Sequence, residues 1–121
     1  MGSIRRHSGS ACALVVAWLG GCAHHDPCVP MCAQAADAYG SCLDPDGAGA
    51  APPDWGAAQY SDAQDFRDAC ETWAWEQRLI ADAEDAPGRV DAACAGRAEA
   101  LATAPEPCAA FTAMEWAAPL R

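Results

Sequence analysis

No lysine occurs in these 121 residues, and the seven basic positions, all arginine, face 17 acidic ones for a formal charge of −10. The missing amine excludes Schiff-base chemistry. A chain this acidic repels phosphate backbones, which argues against nucleic acid as a partner. Histidine is nearly as scarce, and His7, His24 and His25 all precede the bulk of the chain. A Ser-His-Asp or Cys-His centre therefore has no imidazole to draw on downstream. A P-loop, a dinucleotide fingerprint, a His-Glu-x-x-His zinc motif and a Cys-x-x-Cys-His haem motif are missing as well, so no cofactor is expected. Carboxylate pairs such as Asp68 with Glu71, or Glu71 with Glu76, read as a solvated helical face, and no enzyme is expected. Large apolar side chains are few, because alanine inflates the 52% hydrophobic content. No β-type alternation occurs. The one compact apolar run, Ala11 to Leu19, falls short of the about 20 residues that the hydrocarbon of a bilayer requires.

What is present begins with that short run. Arg5, Arg6 and His7 precede it, and Leu19-Gly20-Gly21-Cys22 closes it. A positive region, an apolar core of roughly 7–15 residues and small residues at its end make a secretory signal. Residues 1–22 resemble the signals of bacterial lipoproteins, whose lipobox combines an aliphatic residue, two small residues and a cysteine. The resemblance implies that 1–21 is a signal peptide, cut before Cys22, and that Cys22 carries lipid and ties the chain to the membrane. It also implies the outer membrane rather than the inner, since Ala23 stands where an aspartate often marks inner-membrane retention. Two acyl chains suffice for stable anchoring. Beyond the signal, five arginines remain against all 17 acidic residues.

Cysteine offsets the thin core. Cys28, Cys32, Cys42, Cys70, Cys94 and Cys108 form an even set in an exported chain, which predicts three disulfides. Each typically contributes about 2–4 kcal/mol by restricting the unfolded chain. The expected fold class is all-α, a small three- to four-helix bundle stapled by those bridges. If consecutive helices lie antiparallel, the expected pairs are Cys42 with Cys70, Cys32 with Cys94 and Cys28 with Cys108. Exchanging the roles of Cys28 and Cys32 fits nearly as well.

In chain order, residues 22–29 form a short lipidated tether and 30–121 the helical, disulfide-rich domain. Pro30 opens a first helix whose stripe is Cys28, Cys32, Ala35, Tyr39 and Cys42. The Cys32-x9-Cys42 spacing is similar to half of the pattern in coiled-coil-helix-coiled-coil-helix proteins, and the second pair is lacking. An irregular loop occupies about 44–60, broken by Asp44-Pro45-Asp46-Gly47 and by Pro52-Pro53. No glutamate completes a calcium loop there. Trp55 is expected to fold back over the core. Ser61 and Gln64 form a capping box for a second helix running to about Asp85. With Phe66, Cys70, Trp73, Gln77 and Ile80 on its stripe, it is the expected central helix, and Trp75, off that stripe, is expected as a further core contact, the alternative being part of a binding surface. A third helix spans Arg89 to Ala102, and a fourth runs from Pro107 to before Pro119.

Three functional classes follow. The first is an envelope lipoprotein with a structural or protein-interaction role, presenting an acidic bundle to an envelope protein partner. The second is a periplasmic soft-metal module in which His24, His25, Cys28, Met31 and Cys32 supply imidazole, thioether and thiolate suited to Cu(I). It is similar in part to copper-storage bundles and C-x3-C copper-delivery proteins, but lacks the further cysteines of the first and the β-rich domain of the second. Disulfide formation would consume its thiolates, and the two histidines read more simply as exposed linker. The third class, an enzyme, has no constellation to support it.

Overall fold

In the computed structural model the described residues are 25–114. The signal region, Cys22 and His24 lie outside them. Four helices and no strand occur in the described part: α1 Cys28–Cys42, α2 Ala63–Ala83, α3 Arg89–Thr103 and α4 Pro107–Ala113. Three disulfides cross-link them, so the fold is the expected small all-α stapled bundle.

α1 starts two residues before Pro30, because Asp26 Oδ1 accepts the Cys28 N–H at 2.9 Å and Pro27 already has helical backbone angles. Pro30 then falls in the first turn, where a backbone N–H has no intrahelical acceptor to lose. Cys28, Met31, Cys32, Ala35, Ala36 and Ala38 are all buried. Alanine and cysteine at those positions let neighbouring backbones come close, and α1 packs against each of the other three helices. The central helix is therefore α1, not α2, which buries only Phe66, Ala74 and Ala81 fully. Trp75 is correspondingly exposed rather than a core contact. Trp73 packs against the cluster built from Cys28, Met31, Cys32, Ala74, Val90 and Cys94.

Among the described residues each disulfide uses one α1 cysteine and reaches a different helix: Cys28–Cys94 to α3, Cys32–Cys70 to α2 and Cys42–Cys108 to α4. One cysteine per neighbour was expected, but none of the three favoured pairs forms. Of the exchanged roles, Cys28 with Cys94 does form. The reason is register. Tyr39 stacks on Phe66 with ring centroids 5.2 Å apart, so α2 begins level with the last turns of α1 and Cys70 lies a turn further down, opposite Cys32. α3 runs parallel to α1 and ends, with Leu101 among Ala35, Ala36 and Ala38, at the same end as Cys42. After a three-residue link α4 starts, which puts Cys108 beside Cys42.

Helix ends also depart from expectation in informative ways. The N-cap of α2 is Asp62, not Ser61: its carboxylate accepts the Asp65 N–H at 2.8 Å, and Asp65 reaches back to accept the Ser61 N–H at 2.9 Å. Gln64 instead donates to Asp68. α2 stops at Ala83, where Asp85 adopts φ 56° and the Ala86 N–H bonds back to the Ala81 carbonyl at 2.8 Å, a left-handed cap normally filled by glycine. α4 stops at Ala113 with Met114 extended, short of the helix expected to approach Pro119. Residues from Glu115 on lie outside the described part.

Candidate functional site

The loop between α1 and α2 is organised by aspartates. Asp44 accepts the Gly49 N–H at 2.7 Å and Asp54 accepts the Ala57 N–H at 2.8 Å, while Gly47 takes a positive φ of 66°. Asp44 thus spends a carboxylate oxygen on its own loop. The effect is to return Trp55 onto the bundle, as expected from the sequence. Trp55 lies 5.6 Å from Tyr39 and 5.7 Å from Phe66 between ring centroids. Gly40 makes room for it, since a Cβ there would come within 3.3 Å of the indole.

Tyr39, Trp55, Tyr60, Phe66 and Phe111 gather in this way at one end of the bundle, with centroid separations of 5.0–6.5 Å. Such offset and edge-on contacts are individually favourable. α2 and α4 both pack on α1 and meet each other through the Phe66–Phe111 ring contact, 6.2 Å between centroids, while their backbones stay apart. The gap between them leaves a cleft of about 490 Å³, lined by Tyr39, Tyr60, Phe66, Trp73 and Phe111, with Ala58, Ala69 and Cys70 completing the wall. No charged side chain lines it, and the polar groups its lining side chains carry are the hydroxyls of Tyr39 and Tyr60 and the indole N–H of Trp73. A largely aromatic wall of this kind is suited to binding an apolar or aromatic group.

The opposite end is polar. Arg78 of α2 reaches Asp26, just before α1, and Asp91 of α3, the latter at 3.0 Å. Burial lowers the Arg78 pKa, but the hydrogen bonds and charges of Asp26 and Asp91 outweigh it and leave the pKa raised. Asp26 also caps α1, so the fold takes hold of the chain three residues beyond Ala23. Asp26, Cys28 and Asp91 bring ligand-type atoms within 4.8 Å of one another. That arrangement is explained by Arg78 neutralising two carboxylates and by the bond of Cys28 to Cys94.

Of the soft-metal residues, His24 lies outside the described part and the other four within it. Cys28 and Cys32 belong to separate disulfides, Met31 is fully buried, and His25 is exposed. All six cysteines expected to bridge do so, and none is free among the described residues. Sequence reasoning missed the Arg78 ion-pair cluster, whose members are 13 and 52 residues apart with no local signal. It also missed the cleft, which lies where the backbones of α2 and α4 stay apart. No protein-family model, curated protein or solved structure matches the chain.

Proposed function

We propose that the protein is a lipid-anchored envelope lipoprotein with an interaction role, tethered at Cys22 and offering the aromatic cleft to a protein partner. The observation that carries this reading is the polarity of the bundle. The tether enters at the Asp26–Arg78–Asp91 end, whereas the cleft extends from Cys70, bridged to Cys32, up to Tyr39, 11 residues on from Cys28, which corresponds to about 16 Å of helix. Cys22 to Asp26 spans at most about 14 Å of chain, so the cleft would face away from the bilayer while the domain stays near it. The outer membrane is the proposed destination. Three cross-links keep a small core rigid enough to hold an apolar cleft open to water, which supports binding over catalysis.

Fractionation with intact-mass measurement tests the anchor. The expected result is a diacylglyceryl-modified Cys22 in the outer-membrane fraction, with Cys22→Ser recovered in soluble form. An unmodified amino terminus in membrane-free extract overturns it. A photo-crosslinking residue at Ala69, in the cleft wall, should join one envelope protein, and loss of that product on Phe111→Asp is the expected control.

A further inference from the structure

α2 carries a second feature, unrelated to the cleft. Trp75 and Leu79 stand one turn apart on its outer side and remain 58% and 50% exposed. A tryptophan opposite the buried line of Phe66, Ala74 and Ala81 serves neither core nor cap. With 100° per residue, Asp68, Trp75 and Asp82 fall on one line along the helix, and Glu71 and Leu79 flank it. Asp68, Glu71, Thr72 and Trp75 line a shallow depression there. The nearest cation of known pairing, Arg78, is turned away toward Asp26 and Asp91. The face is therefore an apolar pair beside three carboxylates, and although Arg67 lies one turn before Glu71, none of Asp68, Glu71 and Asp82 forms an ion pair among the described residues.

We infer that this outer face of α2 docks a basic amphipathic helix of another protein, with Trp75 and Leu79 as apolar anchors and Asp68, Glu71 and Asp82 pairing its lysines or arginines. Charge selects among occupants. A second copy would set the same carboxylates against each other, and an anionic lipid surface would repel them. A helix with apolar side chains one turn apart and cations on either side matches both features. Aromatic anchors at the centre of such a patch commonly dominate affinity, while the charges set approach and salt dependence.

The test uses the full oxidised protein as purified from its host, held in phosphatidylcholine nanodiscs if Cys22 carries lipid and free in buffer if it does not, and a fluorescent synthetic leucine–lysine amphipathic helix. Expected are saturable, salt-sensitive binding and a loss of about tenfold or more in the Trp75→Ala, Leu79→Ala double variant. Asp68→Asn with Glu71→Gln should weaken binding and flatten its salt dependence, whereas Asp46→Asn with Glu99→Gln, which removes equal charge elsewhere, should leave it unchanged. Circular dichroism of each variant confirms folding. Wild-type affinity in the double variant, or equal binding of a leucine–glutamate helix, overturns the proposal. So does Trp75-dependent dimerisation in sedimentation, or Trp75-dependent flotation with phosphatidylglycerol vesicles. Failure of Cys22 acylation would leave these outcomes untouched, so the two readings fail separately.

Discussion

At the scale of single residues, the structure separates tryptophans that look alike in the sequence. Trp73 packs on the core cluster, whereas Trp75, two positions on, does not. Trp75→Ala is expected to change unfolding free energy by no more than about 0.5 kcal/mol, while Phe66→Ala, which removes the ring shared by four aromatic neighbours, should cost about 3 kcal/mol or more. Urea titration of the two variants checks both. Arg78 sits about a quarter exposed between two carboxylates, and water screens it, so Arg78→Ala should cost only about 1 kcal/mol. Its clearer effect is faster amide exchange at Cys28, whose acceptor Asp26 loses its anchor. Because the Asp26 and Asp91 carboxylates raise the Arg78 pKa, its contribution holds through neutral pH and fades only above the ordinary guanidinium range. A stability loss between pH 6 and 9 present in the wild type and absent from Arg78→Ala would contradict this. Asp85 occupies a left-handed cap, so Asp85→Gly should stabilise by up to about 1 kcal/mol, read as a higher Tm.

At the scale of elements, the three bridges differ in access. Cys28 and Cys94 are both fully buried, Cys70 opens onto the cleft, and Cys42 and Cys108 are half-buried at the end of the bundle. Stepwise reduction with trapping of the freed thiols should open Cys28–Cys94 last. Release of that pair first would mean that the burial described is wrong. The helices themselves were legible in the sequence because their signals are local: Pro-Ala-Cys stripes, the breaker at Ala86-Pro87-Gly88, and Pro107 at a first turn. The pairing was not, because it depends on how far along α1 each neighbour begins. A loop held by Asp44 and Asp54 decides that for α2. For α4 the information was present: a helix parallel to α1 followed by a three-residue link leaves Cys108 no partner but Cys42. Choosing α2 as the centre over-weighted large aromatics. Alanine and cysteine allow α1 to touch three neighbours where a tryptophan-rich face would hold them apart.

At the scale of the molecule, one helix acts as a spine to which every other is bolted once, with an ion-paired end and an aromatic end. The closed loops span 66, 38 and 66 residues, long enough that each bridge removes about 3–4 kcal/mol of unfolded-state freedom. An alanine-filled core of this size has little net stability without them. Full reduction should therefore abolish the helical circular-dichroism signal near ambient temperature. The cleft and the outer face of α2 depend on this scaffold, so reduction should end binding at both. Disulfide mapping by mass spectrometry is the most direct test of that spine. Cyanogen bromide cuts after Met31 and separates Cys28 from Cys32, an Asp-directed protease cuts at Asp37 between Cys32 and Cys42, and trypsin isolates Cys70, Cys94 and Cys108. The account predicts the cross-linked fragments Cys28–Cys94, Cys32–Cys70 and Cys42–Cys108. A bridge between two cysteines of α1, or any other partner for Cys28, would contradict it.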